Sequence, residues 1–338
     1  MNLVRFREFF CFTIKYFSFT MYFYLLICFS YRVGGQEMRE EINIKILGDE
    51  QARNTGFVSD IISKMHKVRS IKPKFNDAYN SYAYEINDDF IVRFPRNVKS
   101  LDKLIRENKI LEFLDGKITL DIPKTEVYQD GYFYTIHKKV HGDNITQNDL
   151  SVLSSSEKNK FFFDIANFVY ELNSVTEEIS KKIDIPRWDR LERAKKPREV
   201  LEYMLSDDRL NKNEKTFISN FYDKFVLKND NEIIKFSHFD IMAKNLAFDF
   251  SEKKLNGIYD FGDCAIGDVY HDFSQIGLNY NLETLSEIVK HYDKLSGVVI
   301  DANRAWEYSL HSWLVFHNKY RTDITFKQLK EQLRIRME

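Results

Sequence analysis

Apolar positions along the chain switch between a helical and an alternating period, and the order of the switches predicts the elements. Phe57 to Met65 repeats apolar side chains at helical spacing, predicting an amphipathic helix. Tyr82, Tyr84 and Ile86 then alternate toward an Asn87-Asp88-Asp89 turn, and Phe90 to Phe94 reads as the returning arm of a hairpin that Pro95 ends. Ser100 is the expected N-cap of a helix from Leu101 to Leu114, whose Leu101, Leu104, Ile105, Leu111 and Leu114 recur on one face. Glu126 to Tyr128 and Tyr132 to Ile136, around Gln129-Asp130-Gly131, predict a last hairpin. Past Gly142 the period is largely helical, most clearly from Phe161 to Leu172. The pattern is that of a small, mainly antiparallel α+β lobe followed by a larger helical one.

Length agrees, since 338 residues exceed the usual single core. Fifty basic against fifty-one acidic residues leave a formal charge of -1, so no global field draws the chain to nucleic acid. Three cysteines, two of them in the first thirty residues, supply neither a disulfide framework nor a metal-thiolate cluster, which suits a reducing cytoplasm. The first residues are discordant. Phe9 to Tyr31 is nearly all apolar or aromatic, but the uninterrupted run from Tyr16 is short for a membrane span of about 20 residues. Gly34-Gly35 just before Met38 suggests a translated ribosome-binding sequence, so residues 1–37 are expected to be a leader outside the native protein. The alternative is a membrane tether of one weak helix. On this reading the chain divides into a small lobe, 38–140, and a larger helical lobe, 141–338.

The chemistry concentrates in Ser237 to Phe273, SHFDIMAKNLAFDFSEKKLNGIYDFGDCAIGDVYHDF. His238-x-Asp240 is followed by Asn245 five residues after the aspartate, a spacing that lets a carboxylate take a hydroxyl proton while an amide oxygen meets a metal. Alone, such residues would be ordinary loop caps. The apolar strand Leu255 to Tyr259 then delivers Asp260-Phe261-Gly262-Asp263, putting a carboxylate at a strand end. Mg²⁺ prefers oxygen ligands and is bound by one or two protein groups plus phosphate oxygens, and Asn245 with Asp260 is such a pair.

HFDIMAKN followed by IYDFGDCAIGDVYHD resembles the signature of aminoglycoside phosphotransferases and their relatives, among them choline, homoserine and methylthioribose kinases. The family pattern is H-G-D-x-x-x-x-N, then I-D-F-G-D and G-D-P-x-x-D. Upstream, YEINDDFIVRFPR, RENKILEFL and DIPK follow in the order of the family's small lobe, so the resemblance covers most of Phe75 to Phe273. It implies a bilobal protein-kinase-like fold, ATP or GTP as phosphate donor, Mg²⁺, and a small hydroxylated acceptor that is often cationic. It also implies Asp240 as base, Asn245 and Asp260 as metal ligands, and His238 as a support of the loop. The phosphate clamp falls at Arg93, where the family commonly has lysine, with Glu107 as its partner.

Three departures matter. Phe239 replaces a glycine, Val269 a proline, and the phosphate loop Asn76 to Ser81 has no glycine. The base of the nucleotide is expected at Ile136 to Lys139. For a cationic acceptor, Asp268, Glu283 and Glu287 are candidates, the plainer reading being a solvated acidic face. Trp306 and Trp313 are expected to pack the last helices, and Asp272 to cap or orient the helix that follows rather than touch ligand. The leading function is transfer of phosphate to a small molecule, aminoglycoside or metabolite, with antibiotic resistance as one outcome. A catalytically degraded kinase-like protein that binds nucleotide or a partner is the competitor. A protein kinase is disfavoured because no long activation segment separates Asp263 from Asp272.

Overall fold

The computed structural model describes residues 24–33, 36–74, 81–129, 131–188, 190–227 and 232–337, with backbone alone for 24–44, 190–196 and 226–227. The chain divides into two compact units, residues 1–112 with 123–139, and residues 113–122 with 140–338.

In the first unit, β1 (Tyr24–Val33) and β2 (Gln36–Lys45) pair antiparallel, so the apolar stretch is extended from Tyr24 onward rather than the weak helix of the tether reading. Among the described residues no helix is long and apolar enough to cross a membrane. Two short helices, α1 (Asp49–Arg53) and α2 (Thr55–Ser63), follow. The predicted Phe57–Met65 helix thus starts and ends two residues earlier, because Asn54 caps it by accepting the Phe57 amide at 3.1 Å.

A five-stranded antiparallel sheet comes next, in the order β3-β4-β5-β7-β6. Its strands are β3 (Ile71–Pro73), β4 (Ser81–Ile86), β5 (Phe90–Pro95), β6 (Thr125–Tyr128) and β7 (Tyr134–Lys138). Alternation sorts the faces: Tyr82, Tyr84, Ile86, Val92, Phe94, Tyr134 and Ile136 form one core with Val58, Ile61 and Ile62 of α2. Helix α3 (Val98–Leu114) buries Leu101 and Leu104 with Phe133. Ser100 lies inside this helix, not at its cap. Asn97 accepts the Ser100 amide at 2.9 Å while the Ser100 hydroxyl accepts the amides of Arg96 and Asn97, both at 2.9 Å. Both residues are good capping types, and the reciprocal bonding puts the helix start three residues earlier than spacing suggests. The glycine-free phosphate loop lies outside the described residues up to Ser81, which opens β4.

The second unit is mainly helical: α4 (Gln147–Ser151), α5 (Ser155–Ser174), α6 (Thr176–Lys182), α7 (Arg190–Ser206), α8 (Lys212–Leu227), α9 (Tyr270–Ile276), α10 (Leu282–Ser296), α11 (Ala302–Tyr320) and α12 (Asp323–Met337). A capping box of Ser154 and Glu157 starts α5, extending the predicted Phe161–Leu172 helix by a turn and more. α7, α8, α11 and α12 enclose Met204, Ile218, Tyr222, Leu310, Leu314, Leu329 and Leu333, and Trp313 packs on that core. Trp306 carries the Arg336 guanidinium 3.9 Å above its ring. Two antiparallel strand pairs lie between the helices, β8 (Ile234–Ser237) with β11 (Ala265–Asp268), and β9 (Leu246–Asp249) with β10 (Lys254–Ile258).

Candidate functional site

Strand pairing brings the two sequence motifs of the second unit together. β8 ends at Ser237 opposite Ala265 of β11, and β9 begins at Leu246 opposite Ile258 of β10, so the loop 238–245 and the segment 259–264 emerge side by side. The Tyr259 amide donates to the Asn245 carbonyl at 3.1 Å, which sets Asp260 beside Asn245. Main-chain bonding therefore brings the backbone of the strand end up to the loop asparagine.

Within the loop, the Asn245 side-chain amide donates from Nδ2 to both the carbonyl and Oδ2 of Asp240, each at 2.8 Å. Committing the nitrogen in this way leaves Oδ1, the atom a hard cation prefers, to face a metal. Lys244 brings its Nζ to 3.3 Å from the same Asp240 Oδ2. Burial dominates the Asp240 carboxyl and pushes its pKa up to about 6, against the pull of Lys244 and with a further push from Asp260. Among the described residues no cluster of three His, Cys, Asp or Glu side chains forms a self-sufficient metal cage. A pair of oxygen donors completed by phosphate and water is instead the coordination Mg²⁺ favours, and the donor set of Asn245 and Asp260 fits it.

His238 is fully buried and accepts the Asp240 amide on Nδ1 at 3.3 Å, so Nε2 carries the proton. Its removal from water pushes the ring's pKa down to about 4. The neutral ring packs edge-on against Phe261, with centroids 4.7 Å apart, and against Phe168. It is a packing support of the loop.

Asp272 does more than serve its own helix. Its buried carboxyl accepts the amides of His238 at 3.1 Å and Phe239 at 2.7 Å, tying the catalytic loop to the first turn of α9. Burial pushes its pKa up to about 7 against those hydrogen bonds. Spacing could not show this, because the partners lie more than thirty residues apart in sequence.

Phe239 adopts a left-handed backbone, φ 67°, where glycine is at ease. Its ring stacks on His271 with centroids 4.4 Å apart and lies 5.2 Å from Trp188, and it fills the space over Gly267. Aromatic pairs of this kind contribute about 0.5–1.5 kcal/mol each, enough to offset a left-handed cost of about 1–2 kcal/mol. The missing glycine is therefore compensated on the spot. Behind the loop, Asn173 of α5 donates to the Phe236 carbonyl at 2.9 Å and accepts the Tyr292 hydroxyl at 2.7 Å, anchoring β8 to α5 and α10.

In the first unit, Arg93 on β5 lies opposite Ala83, on the face away from Val92 and Phe94. Its NH1 group donates to both oxygens of Glu107, at 2.7 and 2.9 Å, and Glu107 is only 4% exposed. The two candidate clamp residues thus meet as a buried charge-assisted pair. The expected base-binding connection is partly strand, since β7 continues to Lys138 and the Lys139 amide is spent on the Asp89 carbonyl at 2.7 Å.

The acceptor candidates are scattered in role. Asp268 is buried in β11 and accepts the Tyr270 amide at 3.3 Å; Glu287 pairs with Lys290 at 2.5 Å; Glu283 is exposed in the first turn of α10.

Solved structures share this fold. Aminoglycoside 2'-phosphotransferase-IIIa in its GDP complex is similar at a TM-score of 0.68 and 17% identity, over 84% of this chain and 97% of that one. The streptomycin-ATP ternary complex of APH(2'')-IIa gives 0.59 and 21%, over 82% and 95%. Macrolide 2'-phosphotransferase from Brachybacterium faecium, an apoenzyme, gives 0.62 and 11%, over 82% and 97%. The family model of the phosphotransferase enzymes matches residues 73–302. With an α+β protein-kinase-like fold and that match over more than half its length, the chain belongs to the phosphotransferase enzyme family and is a small-molecule kinase.

Proposed function

We propose that this enzyme moves the γ-phosphoryl group of ATP or GTP, with Mg²⁺, to a hydroxyl of a small polyhydroxylated acceptor of the aminoglycoside kind. The observation that carries the reading is the joined geometry of Asp240 and Asn245, in which one amide nitrogen holds the candidate base, and its own oxygen would be the donor for a metal. The similar proteins were solved with GDP, with ATP and streptomycin, and as a macrolide enzyme, which supports a purine nucleotide donor and a hydroxylated antibiotic-like acceptor.

Asp240 accepts the hydroxyl proton on Oδ1 as the acceptor oxygen bonds to the γ-phosphorus, and the nucleoside diphosphate leaves with the electron pair of the broken P–O bond. Asn245 and Asp260 would hold Mg²⁺, which when bound neutralises charge on the phosphates. Arg93, held by Glu107, supplies the cation for the donor's phosphates. His238, Asp272 and Asn173 act on none of these atoms and keep the loop in place.

The test is a screen of purified protein with ATP and GTP against aminoglycosides, macrolides, choline-like amines and hydroxylated metabolites, reading diphosphate release and acceptor mass. A gain of one phosphate on an acceptor is expected. Nucleotide binding with neither transfer nor slow hydrolysis would replace this reading with that of a degraded, binding-only kinase.

A further inference from the structure

Lys244 has no part in the scheme so far, yet it is the cation set against the catalytic carboxylate. Its Nζ stands 3.3 Å from Asp240 Oδ2 while its side chain remains 53% exposed. After Asp240, the charges it feels most are those of Asp260 and Asp263. Its backbone is pinned: the carbonyl accepts the Tyr259 hydroxyl at 2.6 Å, and the neighbouring Ala243 amide donates to Asn279 Oδ1 at 2.8 Å. A flexible four-carbon stem thus rises from a fixed point beside the base.

As a structural ion pair this arrangement achieves little, because the Lys244 ammonium is half exposed and a solvated charge contributes little to stability. As an aid to the base alone it is counterproductive, since a neighbouring ammonium makes a carboxylate a weaker proton acceptor. The arrangement makes sense once a third, more highly charged group arrives. A hydroxyl bonded to Asp240 Oδ1 lies about 3 Å from it, and the phosphorus it attacks lies one bond further on. An ammonium already resting on Oδ2 can reach an equatorial phosphoryl oxygen by rotating its stem.

We propose that Lys244 is a catalytic residue that donates a hydrogen bond to an equatorial oxygen of the γ-phosphoryl group during transfer. The inference rests on the kinase reading above. The O–P bond to the acceptor forms, the P–O bond to the diphosphate breaks with its electron pair going to the leaving group, and the hydroxyl proton passes to Asp240. Lys244 keeps its protons throughout and stabilises the spread negative charge.

The experiment compares wild type with Lys244→Met and Lys244→Arg in two readouts. Calorimetry with Mg²⁺ measures the affinity for nucleoside diphosphate and for its β,γ-imido triphosphate analogue, and single-turnover assays measure transfer. Lys244→Met should bind diphosphate as wild type does, lose about tenfold of the preference for the imido triphosphate, and transfer about 10²-fold more slowly, the scale of one lost charge-stabilising donor. Lys244→Arg should recover part of both. A Met variant that keeps the wild-type γ-phosphate preference overturns the proposal, whether its turnover is intact or reduced; in the latter case Lys244 only positions Asp240. A wild type that transfers to no acceptor counts against the kinase reading instead, while the calorimetric comparison still decides the role of Lys244.

Discussion

Phe239 lies over Gly267 so closely that a β-carbon on the glycine would stand 2.6 Å from the Phe239 Cζ and 3.2 Å from the Trp188 Cβ. The large residue in the catalytic loop and the small one on β11 are therefore one packing unit. Gly267→Ala should destabilise the protein by about 1–3 kcal/mol, the usual cost of overpacking. It should also slow transfer, because the ring it displaces shares a residue with the amide held by Asp272. A chemical denaturation midpoint equal to wild type would show that the ring has room to yield.

Asp240 and Asp260 make different demands. Asp240→Asn should leave Mg²⁺-nucleotide affinity nearly intact and lower turnover by about 10²-fold or more, the contribution of a positioned base. Asp260→Ala should lower metal-dependent nucleotide binding and turnover together. Since Asn245 is bonded to Asp240, the Asn245→Ala and Asp240→Asn effects on turnover should fall well short of additive. Calorimetry and product assays on the variants check all three, and additive losses would separate the two residues.

Arg93 and Glu107 form a pair too buried to be broken without a stability cost. Arg93→Ala takes the guanidinium away from a carboxylate that is only 4% exposed and should destabilise the protein by about 1–3 kcal/mol as well as raise the KM for the nucleotide. Arg93→Lys keeps a charge and is the cleaner probe of the clamp: a raised KM with a near-normal melting temperature is expected. An unchanged nucleotide KM in Arg93→Lys and in Arg93→Ala would remove Arg93 from nucleotide binding.

His317 makes stability pH-dependent. Fully buried, it donates from Nδ1 to Thr325 Oγ1 at 2.8 Å and accepts on Nε2 from Arg209 at 3.3 Å, with Asp207, Tyr203 and Arg321 around it. Burial first, then the charges of Arg209 and Arg321, lower its pKa, while Asp207 opposes them. A ring that refuses a proton the unfolded chain accepts loses stability as pH falls below about 6.5. Asp207, held low chiefly by Arg209, acts in the same direction at lower pH. His317→Gln should flatten the fall in melting temperature between pH 7 and pH 5. An unchanged slope would assign that fall to other groups.

The order of strands and helices was legible because Tyr82, Tyr84 and Ile86 alternate and Leu101, Leu104 and Leu111 recur at helical spacing. Asp240, Asn245 and Asp260 could be singled out because hard-metal and proton-transfer work admits few residue types, and strand pairing brings the two segments that carry them together. What stayed hidden depends on residues distant in sequence. Asp272 reaches back to amides thirty-three and thirty-four positions away, and Gly267 makes room for Phe239 across paired strands. Ser100 reads as the cap because its side chain can do the job that Asn97 does, and only the bonding shows which begins the helix.

The stack of Trp188, His271 and Phe239 gives the protein a native optical reporter. Trp188 is the 43% exposed member of this three-ring cluster, tilted against both partners with indole centroid distances of 5.2 Å to Phe239, the residue before Asp240, and 5.4 Å to His271. The other two tryptophans, Trp306 and Trp313, lie on α11, one under Arg336 and one against the C-terminal core, and supply a steady background. Emission from Trp188 should therefore report on the packing of Phe239, the residue before Asp240, so that a ligand that shifts this loop would change the fluorescence of the unlabelled protein.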